Sequence, residues 1–195
     1  MTRLQRLLSS AAIAALGLAP AAAAAQVFTP TYMAPRPSSD VGVYVSSGPG
    51  DFTAEGILRR HFGTYDLGFR AGVSELSSAA LDIGGELRAP IPAPSAPVSL
   101  AFIAGAQGII GDESAVGLQG GLSIGYTFVG PPVNITPYIA PRVALIDGFG
   151  PNDSMKAHLL ADIGVDVDIQ PRLSLRFGIG LTDPNDAWGI GLAWH

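Results

Sequence analysis

The 195-residue chain contains no cysteine. That absence excludes a disulfide scaffold, a thiolate zinc site and a cysteine nucleophile. Lysine occurs once, as Lys156, and charged residues make up only 14% of the chain. This is sparse beside the roughly 25–35% charge that a soluble surface ordinarily carries. Lysine and arginine number 11 against 16 acids, for a formal net charge of −5. A nucleic-acid binder would show the opposite balance, with a basic patch. Beyond the first 25 residues no run reaches the roughly 18 consecutive apolar residues that a spanning helix needs. Yet 48% of the chain is hydrophobic, and the mean hydropathy is positive. Glycine (25 residues) and proline (16 residues) are abundant. Low charge with high apolar content argues against disorder. The length bounds the chain to a single domain or two small ones.

Residues 1–25 read as a secretory signal peptide. Arg3 and Arg6 open it, Leu7 to Leu18 is its apolar stretch, and Ala23-Ala24-Ala25 supplies the small residues of a cleavage site between Ala25 and Gln26. The apolar stretch is short and alanine-rich and no stop-transfer flank follows, which argues against a retained anchor. Cleavage removes two arginines, taking the net charge from −5 to −7. Residues 26–40, rich in proline and serine, read as a loose periplasmic leader.

The remainder alternates with a period of two. In residues 157–169, Ala157, Leu159, Ala161, Ile163, Val165, Val167 and Ile169 share one face, opposite His158, Leu160, Asp162, Gly164, Asp166 and Asp168. Successive strand side chains point to opposite faces, so this is a two-faced strand. The same rhythm predicts ten strands, at 41–47, 51–62, 65–74, 78–88, 97–110, 115–129, 134–146, 156–169, 172–182 and 186–194. The first is short and Ile57-Leu58 interrupts the second, so eight is the alternative count. Glycine, proline and asparagine punctuate the gaps. Pro90 to Pro97 holds four prolines and reads as a linker rather than strand interior.

Two architectures share this pattern. A soluble barrel or sandwich buries the apolar face; an outer-membrane barrel turns that face to lipid and the polar face to its lumen. Three features favour the second. The polar face is rich in glycine, which makes room inside a narrow barrel but only weakens a solvated strand. Its charges nearly cancel: Glu55, Asp66, Asp82, Glu86, Asp162, Asp166 and Asp168 stand against Arg59, Arg70, Arg88, Arg142, Arg172 and Arg176. Arginine, whose planar fork binds carboxylates bidentately, suits enclosed ion pairs. Aromatics collect at strand ends: Trp188 and Trp194 lie about 20 Å apart along the last strand, near the height of an aromatic-flanked apolar band. Asp51, Glu75, Asp112, Glu113, Asp147, Asp153, Asp183 and Asp186 gather at the opposite rim from the chain ends, making that outer rim acidic.

Residues 40–194 thus resemble the small outer-membrane β-barrel proteins of Gram-negative bacteria, of eight or ten strands. The resemblance rests on the signal peptide, the dyad alternation, the hairpin spacing and the final strand Trp188-Gly189-Ile190-Gly191-Leu192-Ala193-Trp194, which looks like the carboxy-terminal assembly signal of that family, here followed by His195. It implies an all-β fold: a closed antiparallel transmembrane barrel over residues 41–195 with short turns. It also implies an outer-membrane location, contacts with lipid including lipopolysaccharide, and delivery by the barrel assembly machinery. A monomer is expected, with small ions as candidate solutes and no nucleic acid.

Chemistry is sparse. His158 and Asp162 share a face, but four residues of extended strand separate them by about 13 Å, too far for a direct hydrogen bond. Asp162, Asp166 and Asp168 form a ladder, not a chelate. The glycine spacings fall inside strands, where no dinucleotide-binding turn can form. No catalytic residue, metal site or cofactor is expected. The residues expected to line the lumen are Glu55, Arg59, Arg70, Asp82, Glu86, Arg142, Asp162, Asp166 and Arg176. The expected function is non-enzymatic, structural or narrow-pore. The alternatives are a soluble periplasmic barrel binding an apolar ligand, and a hydrolase at the rim.

Overall fold

The computed structural model describes residues 27–76, 78–92, 98–112, 114–148, 154–181 and 187–195. Ten strands form: β1 (Asp40–Ser46), β2 (Phe52–His61), β3 (Asp66–Glu75), β4 (Ala79–Ile91), β5 (Ser99–Ile110), β6 (Ala115–Gly125), β7 (Asn134–Gly148), β8 (Lys156–Gln170), β9 (Leu173–Leu181) and β10 (Ala187–Trp194). Each pairs antiparallel with its neighbours in sequence, and β1 pairs with β10, closing the barrel. Closure leaves no strand edge with unpaired backbone groups. The two open ends are called here the near mouth, where β1 starts and β10 stops, and the far mouth.

The dyad pattern sets which side chains face in. In β1 the burial alternates strictly, with Asp40, Gly42, Tyr44 and Ser46 inward and the three valines outward. Val43, Phe69, Val73, Leu118, Ile139, Ile163 and Trp188 are each about half exposed on the outer surface. Arg59, Arg70, Asp82, Asp162, Asp166 and Arg176 are buried on the inner one. The barrel is therefore apolar outside and charged inside, the reverse of a water-soluble domain. The β2 irregularity resolves the same way: Leu58 points out and Ile57 points in, where it packs against Tyr32 and Tyr44.

Several local expectations change. β6 ends at Gly125, not 129. Phe128 retains a single bridge to Ile135, and Tyr126 stacks edge-on against it with ring centroids 4.7 Å apart. β4 runs past its expected end through Pro90, which pairs with Ala101. β7 carries two prolines, Pro137 and Pro141. Its pairing with β6 lapses between Gly121↔Arg142 and Ile124↔Ile139, the interval containing Pro141; proline has no N–H to give the ladder. Arg172, assigned to the polar inner face, sits exposed in the two-residue turn between β8 and β9.

The largest correction concerns residues 26–40. From Val27 to Ala34 the chain is buried throughout, Phe28 and Met33 with only 2% of their surface exposed. It is no loose leader. It threads the lumen from the far mouth, where Val27 and Phe28 cluster with Ala115, Ala144 and Leu160, to the near mouth, where the Ser39 hydroxyl accepts from the His61 backbone N–H. β1 then turns back along the wall.

Candidate functional site

The lumen and the segment that fills it form the candidate site. Its wall is built from inward residues at alternate positions of all ten strands, and the charged ones lie on β1–β4 and β7–β9. There, five buried arginines each meet a wall carboxylate. The Arg70 guanidinium donates to both Glu55 oxygens at 2.9 Å. The Arg176 guanidinium donates to both Asp40 oxygens, at 3.1 and 2.9 Å, and lies 3.2 Å from Asp166. Arg88 Nε donates to Asp66 at 2.7 Å. Arg59 pairs with Glu86 and, at 3.5 Å, with Asp40. Arg142 pairs with Asp162 and Gln119. Bidentate, charge-assisted pairing is what allows so many charges to be enclosed. Asp82 differs: it accepts from the Gln107 side-chain amide, at 2.9 and 2.8 Å, rather than from an arginine.

The threaded segment uses the donors the carboxylates leave over. Arg70 Nη2 donates to the Pro30 carbonyl at 3.3 Å, Arg59 Nη2 to the Thr31 carbonyl at 3.2 Å, and Arg88 Nη1 to the Ala34 carbonyl at 2.7 Å. The Ser123 hydroxyl donates to the Met33 carbonyl at 2.6 Å. In return the Thr31 N–H donates to Asp162 at 2.8 Å. An extended, proline-containing chain cannot pair most of its own backbone groups; apart from the Arg36 N–H, which donates to the Ala34 carbonyl at 2.8 Å, the partners come from the wall. Near the near mouth, the Arg36 guanidinium donates to both Asp168 oxygens at 2.6 Å.

Inner-face glycines provide the space. A Cβ at Gly117 would lie 2.5 Å from the Phe28 ring, and one at Gly125 or Gly178 would lie 3.0 Å from Pro35 or Pro30. A Cβ at Gly189 would collide with the Tyr32 hydroxyl. Tyr32 also stacks on Tyr44, with ring centroids 4.5 Å apart. The glycine richness read as room for larger neighbours is in part room for this segment.

Of the residues expected to line the lumen, Glu55, Arg59, Arg70, Asp82, Glu86, Arg142, Asp162, Asp166 and Arg176 are all buried on the inner face. Arg88, assigned to the polar face, is buried there too, and the structure adds Asp40, Tyr44, Gln107 and Ser123 to the wall and Arg36 to the segment. Asp40 escaped the sequence reading because it precedes the first expected strand. Arg36 escaped because a proline-rich stretch carries no periodicity.

His158 faces inward and is half-buried, its Nε2 without a hydrogen-bond partner. Asp162, the acid weighed as its companion, is committed to Arg142 and the Thr31 N–H. A contact chain joins Asp168, Ser174 and His195: the Ser174 hydroxyl donates to Asp168 at 2.6 Å and lies 2.7 Å from His195 Nε2. The carboxylate holds the hydroxyl rather than the imidazole, and Ser174 is fully buried, unlike a nucleophile with an orienting acid. Among the described residues no group of three or more His, Asp or Glu is arranged to hold a metal ion. On the rim, Asp51, Glu75, Asp112 and Lys156 are exposed at the far mouth and Asp147 is half-exposed. Glu113, Asp153, Asp183, Asp186 and the Ala25–Gln26 cleavage site lie outside the described residues.

No protein-family model matches the sequence, and no curated protein matches it. Several solved structures are similar in shape at low sequence identity. The KdgM porin in complex with disordered oligogalacturonate superposes with a TM-score of 0.46 at 8% identity, over 80% of this chain and 98% of that one. The NanC porin gives a TM-score of 0.42 at 9% identity, over 81% and 100% of the two chains. A de novo designed transmembrane β-barrel gives 0.38 at 15% identity, over 82% and 97%.

Proposed function

We propose that the protein is a non-enzymatic β-barrel of the outer membrane, its lumen sealed by its own amino-terminal segment. The observation that carries this reading is the inversion of the barrel: a continuous apolar exterior around an interior of arginine–carboxylate pairs. In water such an exterior would be a large aggregation-prone surface. Against lipid it is the favourable one, and closure satisfies every strand where the bilayer offers no hydrogen-bond partner. The dimensions agree. A ten-residue strand such as β2 rises about 33 Å along its axis, and a tilt of about 40° brings this to about 25 Å, the height of the apolar band in such barrels. Trp188 and Trp194 stand at opposite ends of β10, both exposed, as interfacial aromatics would. Lipid, including lipopolysaccharide, and the barrel assembly machinery are then the partners, and the barrel acts as a monomer.

The alternative of a soluble barrel holding an apolar ligand finds little support, since charged pairs and the threaded segment occupy the interior. Cell fractionation tests the proposal. The protein should stay with the outer membrane after osmotic shock, need detergent for extraction and migrate faster on gels when unboiled. Release in the osmotic-shock fluid without detergent would sink it.

A further inference from the structure

Resting on the outer-membrane reading, we infer that residues 27–38 are a retractable plug and that the barrel behind them is a cation-preferring channel. Three observations support this.

The first is that no wall arginine depends on the plug for its counter-charge. Arg59, Arg70, Arg88, Arg142 and Arg176 each keep a wall carboxylate. What the plug supplies to three of them is a backbone carbonyl, and to Arg88 the Ser38 hydroxyl as well, neutral acceptors that water can replace. Withdrawal therefore strands no buried guanidinium, the event that makes most buried-charge rearrangements prohibitive.

The second is that the plug occupies space the wall leaves open. Phe28, Pro30, Tyr32 and Pro35 lie over Gly117, Gly178, Gly189 and Gly125. With the plug gone, those strands present bare backbone at the four glycines, and the bordering Tyr44 and Arg142 are held in wall hydrogen bonds to Arg176 and Asp162. A continuous aqueous path is the result, where a side-chain-packed barrel of this size would stay shut.

The third concerns charge. The plug's Arg36 is its sole charged side chain among the described residues, and it neutralises Asp168 while lying 3.7 Å from Asp166. Withdrawal removes that guanidinium. Asp168 then faces the near mouth unpaired, and Asp82, held by an amide, faces the lumen towards the far mouth. A channel lined by a surplus of fixed carboxylates concentrates small cations and repels anions.

The test uses the purified full-length protein and a full-length triple variant, F28A/Y32A/M33A, which removes the plug's apolar anchors and leaves every wall residue in place. Faster migration of the unboiled protein on gels reads the barrel itself, independently of the plug. Planar-bilayer recording across a potassium chloride gradient then reads the channel. The expected result is a wild-type protein that is silent or opens rarely, and a folded variant that conducts with its reversal potential shifted towards the potassium equilibrium value. A folded but silent variant, a wild type as conductive as the variant, or a shift towards the chloride value would overturn the inference. Absence of the fast-migrating wild-type band would instead overturn the barrel reading. Should the triple variant fail to fold, T31C decides the matter, because it carries the chain's single thiol. Labelling of the folded barrel by a small charged thiol reagent is expected from transient withdrawal, and lasting protection would overturn the inference.

Discussion

Two arcs of the same wall hold the same segment by different means. Along β2, β3 and β4, Arg59, Arg70 and Arg88 grip its backbone carbonyls. Across the lumen, glycines of β6, β9 and β10 accept its side chains as shapes. The first arc reads a path, since any extended residue offers a carbonyl. The second reads identity, since only a residue of the right outline fills the groove left by Gly189 or Gly117. The difference separates what orders the segment from what selects it. It also predicts that damage to the two arcs should look different.

The largest effect is expected from Arg59→Leu, which breaks the first arc at its root. It leaves Glu86 and Asp40 without their shared guanidinium as well as freeing the Thr31 carbonyl. Removing one member of a buried ion pair costs about 3–5 kcal/mol, so wall and plug should both loosen. Urea titration of the detergent-solubilised barrel should show the midpoint fall. An unchanged midpoint would mean that the wall does not depend on its ion pairs. Next comes Tyr32→Ala, which removes a side-chain fit and leaves every arginine-to-carbonyl bond of the first arc in place. Emptying the slot beside Gly189 and Tyr44 should cost about 3 kcal/mol of plug docking, raising the undocked population about 150-fold. Hydrogen exchange should speed up over residues 28–36 while the strand amides keep their protection. Equal acceleration in the strands would erase the distinction between the arcs.

Arg70→Lys keeps the charge and loses the fork. One ammonium cannot serve Glu55, Gln107 and the Pro30 carbonyl together, and a loss of about 1–2 kcal/mol follows. The two arcs would be alike in kind if lysine supported plug protection fully. The smallest effect belongs to Ser123→Ala, which leaves the Met33 carbonyl without its donor at a cost of about 1 kcal/mol. It should appear as faster exchange near Met33 and nowhere on the opposite arc.

The wall was largely legible in the sequence and the plug was not, for one physical reason. Strand pairing imposes a period of two on every residue it uses, and that period is visible in β8 as Asp162, Gly164 and Asp166 against Ile163 and Val165. Opposed charges on one face then announced an enclosed network. Residues 27–38 form no ladder, so nothing in their order betrays their place. Their burial depends on contacts with residues more than a hundred positions away, as Thr31 with Asp162 and Arg36 with Asp168 show. A signal did exist, in that glycines such as Gly117 and Gly189 line an inner face whose ion pairs lie on other strands. Empty space of that kind calls for an occupant. Pro90 misled for the opposite reason: proline marks most strand ends, yet β4 continues past it.

The course of the plug also constrains how the molecule can be built. The segment is tethered at the near mouth, where it passes into β1, and Val27 is its most distant described residue from that tether. It must therefore enter leading end first, like a thread passed through a ring, or be encircled as β1 and β10 zip together. The first route admits only a slender chain. A folded domain attached ahead of Val27 would be too wide to pass, and would leave encirclement as the way to thread the ring.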